Sequence, residues 1–225
     1  AWQLHDEQGH LIHARNEIVY PDGFDIPYNS EKIHGISTEK ARADGRPLAD
    51  VLSEFVEDLR KSQYGVGHNI EFDYNIVGSE LWRSTEEDLA KQMMALPAID
   101  TKNESTDYCA LPGGKGGKFK WPTLSELHNK LFDRPFDEAH NAAADVEATA
   151  RCFFKLGKLG VITLNTPLAE DMMEHLAEQA KAILTTVDRR SSKKDTATTI
   201  PSASDAHGIE SAFSHLHVHS SFSIL

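Results

Sequence analysis

An asparagine and an aspartate lie four residues apart in the segment Gly67-His68-Asn69-Ile70-Glu71-Phe72-Asp73, with an aromatic residue just before the aspartate. The segment lies where a strand pattern gives way to a helical pattern, and α/β sheets build their sites at the carboxyl ends of strands. Asn69 and Asp73 are therefore candidates to bind a polar substrate or a metal ion. A structural interpretation stays open, in which Asn69 caps the helix and Asp73 interacts with the helix dipole.

A histidine and an aspartate flank a run of small residues in His140-Asn141-Ala142-Ala143-Ala144-Asp145. Small side chains at a helix start let a bulky group, such as a substrate backbone, approach closely. An imidazole that titrates near neutral pH can act as a general base, and a carboxylate can hold a divalent cation. The alternative is again structural, with His140 as a cap and Asp145 as a first-turn charge.

The elements that must position these residues follow from the hydrophobic pattern. Strand patterns over 1–5 and 11–20 flank turn residues at 6–9 and predict an antiparallel hairpin. Short strands are predicted at 64–67 and 97–100, and helices over 47–62, 72–82, 122–131 and 140–156. Strands that alternate with helices after an opening hairpin predict an α/β fold with helices on the faces of the sheet.

The 225 residues carry a net charge of −12, with 40% hydrophobic and 26% charged residues. This composition is typical of a globular protein with one core plus a tail. The negative balance disfavours a protein that coats nucleic acid, but carboxylates that bind divalent metal ions are compatible with an enzyme acting on phosphodiesters. No apolar run approaches the about 18 residues of a membrane span, and no secretory signal is visible. With only two, widely separated cysteines, we expect a cytoplasmic protein with reduced thiols.

Composition divides the chain into four segments. Residues 1–160 hold the alternating elements, 161–184 carry one more helical pattern, and 185–211 are a polar stretch typical of a flexible linker. Apolar residues return in 212–225, where a strand begins and the sequence stops. Because the sequence also opens on Ala1 inside a strand pattern and without Met, we interpret it as a fragment of a longer chain.

Taken together, the two chemical segments resemble the second and third motifs of the DEDDh 3′–5′ exonucleases, the family of the proofreading subunit of bacterial DNA polymerase III. Asn69, Phe72 and Asp73 match N-x-x-F-D, and residues 140–145 match H-x-A-x-x-D. Ile33-His34-Gly35-Ile36-Ser37 resembles the family's I-H-G-I-T segment. The resemblance implies a ribonuclease H-like, three-layer α/β fold, with a mixed sheet, helices on both faces, and the first strand missing.

The resemblance also implies a site with two Mg²⁺ or Mn²⁺ ions that bracket the scissile phosphate, activate the attacking water and stabilise the leaving 3′ oxygen. Asp73 and Asp145 would be metal ligands, and His140 would take the proton from the water. The pocket for the terminal nucleotide, with an aromatic ring available for stacking, would be lined by His34, Asn69 and Phe72.

The family's first motif, D-x-E on the first strand, is absent from the opening strands, although it supplies two of the four carboxylates. Asp6 and Glu7 are no substitute, because they are adjacent and lie in a turn, so their side chains cannot share one strand face. We therefore expect this chain to bind the catalytic metals poorly and to show little or no nuclease activity.

Histidines alternate near the end of the sequence, so a strand would present them on one face, where imidazoles can share a metal. The run from Phe213 to Leu225 resembles the opening of the PHP domain of bacterial replicative polymerase alpha subunits. By that resemblance His217 and His219 match an H-x-H-S/T metal motif, an incomplete site for Zn²⁺ or another metal. His215 is the less certain third member, and a chance His-rich tail is the alternative.

The glycine-rich stretch 112–121 lacks the spacing of a phosphate-binding loop, because Pro112 and Phe119 stand where that motif needs glycine and a hydroxyl residue. Its lysines predict either a basic loop that contacts a nucleic-acid backbone, with Trp121 available to stack on a base, or a solvated surface loop.

These observations predict a fragment of a DNA polymerase III alpha-type protein that carries a 3′–5′ proofreading exonuclease domain. Its partners would be a single-stranded or frayed DNA 3′ end, the polymerase domain in cis and the sliding clamp, with no membrane. One alternative is an RNA-trimming exonuclease of the same fold. Another is a non-catalytic exonuclease-fold scaffold that binds a polymerase or clamp. A metal-storing His-rich protein would leave the exonuclease-like segments unexplained.

Overall fold

The computed structural model describes residues 1–84, 87–134, 141–164, 167–170 and 172–174, and the backbone of 212–216. The strands are β1 (Trp2–Asp6), β2 (Leu11–Arg15), β3 (Ser62–Gly67), β4 (Ala98–Asp100) and β5 (Ala212–Leu216). The helices are α1 (Tyr28–His34), α2 (Thr38–Asp44), α3 (Leu48–Leu59), α4 (Ile70–Arg83), α5 (Glu87–Ala95), α6 (Thr101–Glu104), α7 (Thr106–Cys109), α8 (Leu124–Phe132) and α9 (Ala142–Lys158).

The five strands form one mixed sheet in the order β2-β1-β5-β3-β4. β1 runs antiparallel to both β2 and β5, whereas β3 runs parallel to both β5 and β4. The predicted hairpin is confirmed, and the Asp6 carboxylate holds its turn by accepting from the backbone N–H groups of Gln8 and His10. β2 ends earlier than predicted, and Val19 makes only an isolated bridge with Arg46.

Helices cover both faces of the sheet. Successive side chains of β3 point to opposite faces, so neighbouring residues of this strand contact different helices. On one face, α4 approaches Gly65 so closely that a Cβ there would lie 2.2 Å from the Tyr74 hydroxyl. On the other face, Val66 is fully buried in a cluster with Phe153 and Leu127 of α9 and α8. A second cluster joins α3, α4 and α5 to Trp2 of β1. The predicted ribonuclease H-like α/β architecture is confirmed.

The four long helices predicted from periodicity are present as α3, α4, α8 and α9, with ends shifted by a few residues. The other five helices were not predicted, and four of them are only four to seven residues long. Their ends carry local signals nevertheless. Ser37 accepts from the Lys40 N–H and caps α2, and Gly35 ends α1 in the left-handed conformation.

The strand β5 belongs to the segment that the sequence assigns to the start of a separate domain. In the structure it is hydrogen-bonded between β1 and β3, in the middle of the sheet. The division of the chain into domains at 160, 184 and 211 stays a prediction, since most of those residues lie outside the described part of the chain.

A buried carboxylate ties the opening hairpin to α3. Asp58 is 3% exposed and accepts hydrogen bonds from Trp2 Nε1 at 2.8 Å and His13 Nε2 at 2.5 Å. Burial alone would raise the pKa of Asp58, but the hydrogen bonds from His13 and Trp2 outweigh it and hold the pKa below its usual value. The hairpin is therefore fixed by polar as well as apolar contacts.

Among the described residues, no helix is long and apolar enough to cross a membrane. Cys109 and Cys152 are both buried free thiols, and burial raises the pKa of each. A raised pKa keeps a thiol protonated and unreactive.

The buried histidine of β1 predicts a pH dependence of stability. His5 is fully buried, with Nδ1 3.1 Å from the Gly9 carbonyl oxygen, and burial lowers its pKa to about 4. The neutral ring is favoured in the folded state, so its stabilisation is complete above pH 6.5 and is lost as the pH falls towards 4. This group alone should lower the free energy of unfolding by up to about 3 kcal/mol between pH 7 and pH 4.

Urea unfolding at the two pH values measures this effect. His5→Gln should remove most of the difference, whereas His10→Gln, at a partly exposed neighbour bonded to Asp6, should retain it. An unchanged pH dependence in His5→Gln would rule out this histidine as the source.

Candidate functional site

The end of β3 and the start of α4 form a sharp junction. Asn69 has φ 73° and ψ 44°, a left-handed conformation that asparagine tolerates better than most residues with a side chain. Glycine is required at position 67, two residues earlier, because a Cβ there would lie 2.8 Å from the Ile70 Cβ. Only two residues therefore separate the end of β3 from the start of α4.

The neighbouring strand holds this junction in place. The Asp100 carboxylate, at the end of β4, accepts from the backbone N–H of Asn69 at 2.9 Å and from that of Lys102 at 3.0 Å. Lys102 Nζ in turn donates to the Asn69 side-chain oxygen at 2.5 Å. Asn69 occupies the N-cap position of α4, but its side chain makes no capping hydrogen bond. The capping interpretation is wrong because this oxygen binds Lys102 instead.

A second set of hydrogen bonds joins the end of β3 to β4 and to the segment before α8. The buried Thr101 hydroxyl donates to the Gly67 carbonyl oxygen at 3.0 Å. His68 Nδ1 lies 3.0 Å from that hydroxyl, and its Nε2 donates to the Pro122 carbonyl oxygen at 3.0 Å. β3, β4 and the segment that precedes α8 are thus joined at one edge of the sheet.

Two motif carboxylates are buried at the starts of helices that pack against β3. Asp73 lies in the first turn of α4 and is 1% exposed, and Asp145 lies in the first turn of α9 and is 5% exposed. Asn141 fixes the start of α9 by accepting from the Ala143 N–H at 3.0 Å. Burying a carboxylate is unfavourable unless hydrogen bonds or a cation compensate it.

The donor chemistry fits part of a divalent metal site. Magnesium and manganese prefer carboxylate oxygens, which Asp73 and Asp145 supply. Within the described part of the chain, no group of three or more His, Cys, Asp or Glu residues could hold a metal ion. The oxygen donors of these two side chains are of the type that such an ion prefers, but the described residues form no complete ligand set for it.

Of the predicted pocket residues, the structure shows Phe72 next to Asn69 at the start of α4, and it places His34 at the end of α1. Phe72 lies in the first turn of α4, 37% exposed, and its N–H donates to the Asn69 carbonyl oxygen at 3.0 Å. His34 ends α1, where its Nδ1 accepts from the Ile36 N–H at 3.1 Å. The other predicted site residues lie outside the described residues, namely His140, His217 and His219.

Sequence reasoning did not identify Asp100, Thr101 and Lys102 as parts of the site. A usable signal existed, because a short strand was predicted at 97–100, where the structure has β4. The carboxyl ends of parallel neighbours meet at the same sheet edge, so polar residues that follow one strand should be considered with those that follow the other.

Comparison with known proteins places this geometry in context. A family model described as Exonuclease (RNase_T) matches residues 8–153, more than half of the chain. A similar protein is the "3′-5′ exonuclease DinG" of Bacillus subtilis (strain 168), 29% identical over 150 residues. The match covers 67% of this chain but only 14% of that relative, so the chain spans a small part of its length.

The hydrogen bonds of Asp100 predict a stability difference between two substitutions. Asp100→Ala removes the acceptor for two N–H groups and should lower the free energy of unfolding by about 1–3 kcal/mol. Asp100→Asn keeps an oxygen in the same place and should cost less than half as much. Urea denaturation of both variants measures the difference. If both variants lost the same free energy of unfolding, the hydrogen bonds that the Asp100 side chain accepts would not stabilise the junction.

Proposed function

The chain belongs to the RNase_T exonuclease family, and from this premise we propose that the intact form of its domain removes nucleotides from a DNA 3′ end by metal-dependent hydrolysis. One observation carries the proposal. Both described motif carboxylates, Asp73 and Asp145, are almost fully buried at the starts of helices packed on the same strand. The 3′ to 5′ direction is supported by the motif resemblance and by the name of the Bacillus relative.

In this proposal Asp73 and Asp145 hold Mg²⁺ or Mn²⁺. The bound ions supply Lewis-acid chemistry at the scissile phosphate. His140 takes the proton from the attacking water, a role that suits an imidazole because it titrates near neutral pH.

The terminal nucleotide is bound by the residues around the β3–α4 junction. The partly exposed ring of Phe72 offers a stacking surface, and Asn69 provides a polar group beside it. Lys102 lies at the same junction, where its Nζ is 3.9 Å from the Asp100 carboxylate and its charge is therefore paired. His34 completes the proposed pocket from the end of α1.

The two carboxylates of the family's D-x-E motif have a defined position in this proposal. A strand that forms a hairpin with β1 from its amino-terminal side runs antiparallel to it, which is the orientation that β5 has beside β1. We assign the D-x-E strand of the family to this place between β1 and β3.

The wider role is that of a proofreading domain in a polymerase III alpha-type protein. The resemblance of 212–225 to the start of a PHP domain, with His217 and His219 in a partial Zn²⁺ or other metal motif, supports this context. The polar segment 185–211 would keep the exonuclease near the polymerase at high effective concentration. The DNA 3′ end and the polymerase in cis are then its partners, with the sliding clamp as a further one.

A non-catalytic scaffold is the second candidate. It is favoured by the observation that no group of three or more His, Cys, Asp or Glu residues in the described part of the chain could hold a metal ion. Such a scaffold would bind a polymerase or clamp without trimming nucleic acid. An RNA-trimming exonuclease would keep the same carboxylates and differ in substrate.

Restoring the missing motif tests the proposed reaction. The protein, extended at its amino terminus by an apolar strand carrying D-x-E, should trim a 5′-labelled single-stranded DNA from its 3′ end in Mn²⁺. Asp145→Asn or His140→Ala in this protein should lower the rate on the order of 10²- to 10⁴-fold. Asp107→Asn, at an exposed first-turn aspartate of α7, is the matched control and should leave the rate unchanged.

The substrates separate the candidate functions. Faster trimming of DNA than of RNA with the same sequence supports a DNA exonuclease, and the reverse supports the RNA-trimming alternative. An extended protein that folds, as judged by circular dichroism, but trims neither substrate leaves the scaffold as the better explanation.

A further inference from the structure

Residues 112–121, which we name the aromatic loop, form a closed turn between α7 and α8. The Lys120 N–H donates to the Leu111 carbonyl oxygen at 2.9 Å and closes the loop at its base. Inside it, a Cβ on Gly114 would lie 2.3 Å from the carbonyl oxygens of both Lys118 and Phe119. Only glycine permits this packing, so the loop has a defined shape.

The aromatic loop presents two large rings to solvent. Trp121 is 65% exposed and Phe119 is 46% exposed. Exposed rings two residues apart on one loop do not contribute to the core. Flat apolar surfaces of this kind are what single-stranded binding proteins use to stack bases.

The charge of the loop is opposite to that of the chain. The protein carries a net charge of −12, yet no Asp or Glu occurs from residue 108 to residue 125. Lys115 and Lys118 are exposed in this interval, while Lys120 pairs with Glu126 at 2.6 Å. The exposed pair gives the loop a local positive potential, which attracts phosphates.

The loop is physically connected to the candidate site. Lys102 Nζ lies 4.8 Å from the centre of the Trp121 ring and also donates to the Asn69 side chain. Pro122, the residue after the loop, accepts from His68 at the end of β3. Trp121 is therefore held next to the junction at which the proposed pocket for the terminal nucleotide lies.

We propose that the aromatic loop binds the nucleotides that precede the 3′-terminal one in a single strand of nucleic acid. Trp121 and Phe119 stack on bases, and Lys115 and Lys118 neutralise phosphates. Stacking accepts any base, so the loop selects single strands without selecting sequence. The assignment of these nucleotides to the 3′ end rests on the proposed function, but binding itself requires neither metal nor hydrolysis.

The test is equilibrium binding of fluorescein-labelled oligo(dT) to this chain in EDTA, followed by fluorescence anisotropy. Trp121→Ala should weaken binding roughly tenfold, while Trp121→Phe, which keeps a stacking ring, should retain most of the affinity. Trp82→Ala is the matched control, since Trp82 is 48% exposed and has Lys91 Nζ 5.5 Å from its ring centre. That variant should bind like the unaltered protein.

Charge and strandedness give further readouts. Lys115→Gln combined with Lys118→Gln should reduce the salt dependence of binding, and duplex DNA should bind more weakly than the single strand. Comparing the affinities for oligo(dT) and oligo(rU) shows whether the loop binds single-stranded DNA or single-stranded RNA more tightly. Equal losses in Trp121→Ala and Trp82→Ala, or no loss in Trp121→Ala with its circular dichroism unchanged, would overturn the proposal.

These outcomes are separate from those of the proposed reaction. If Trp121→Ala loses affinity while the extended protein fails to trim, the loop proposal stands and the catalytic one fails. If trimming depends on Asp145 while Trp121→Ala binds normally, the catalytic proposal stands and the loop proposal fails.

Discussion

The left-handed conformation of Asn69 is the constraint on which the site depends. This conformation costs roughly 1–2 kcal/mol for a residue with a side chain. The Asp100 carboxylate offsets that cost, because a hydrogen bond to a charged group contributes roughly 1.5–3 kcal/mol. The Asp100 carboxylate also accepts from the Lys102 backbone N–H, and Lys102 Nζ donates to the Asn69 side-chain oxygen. The ends of β3 and β4 are therefore linked by hydrogen bonds in both directions. The resulting turn places the first helical turn of α4, with Asp73, over the sheet edge.

Two of the buried carboxylates have partners that explain their place in the structure. Glu147 is 2% exposed on α9, and burial raises its pKa to about 7. Arg151 lies one turn later, 2.8 Å from the Glu147 carboxylate, so the helix supplies the partner of this acid itself. Asp58 has a similar structural explanation in its bonds to Trp2 and His13. Asp73 and Asp145 differ from both, because they lie in first turns at the sheet edge and match the exonuclease motifs.

The hydrophobic periodicity of the sequence predicted the regular strands and the longer helices. The hairpin, β3, β4 and the four long helices were accessible because burial imposes a period of two or of about 3.6 residues on each segment. The bond from Asn69 to Asp100 joins residues 31 positions apart, and nothing in the local pattern of either segment indicates its partner. The sequence therefore identified the motif residues, but the residues that fix Asn69 became visible only once the two strand ends were placed side by side. The exposure of Trp121 likewise became visible only in the structure.

The position of β5 shows that pairing in the sheet and binding of a metal ion require different properties of one strand. Between β1 and β3, a strand must offer backbone hydrogen-bonding groups on both edges, because buried N–H and C=O groups need partners. Any extended segment can meet that demand, and Ala212–Leu216 does so with an antiparallel bond pattern on one side and a parallel one on the other. A metal-binding strand must also carry carboxylates, and the sequence Ala-Phe-Ser-His-Leu has none. The backbone position is thus filled while the proposed ligand set is incomplete, so formation of the sheet does not by itself imply a complete site.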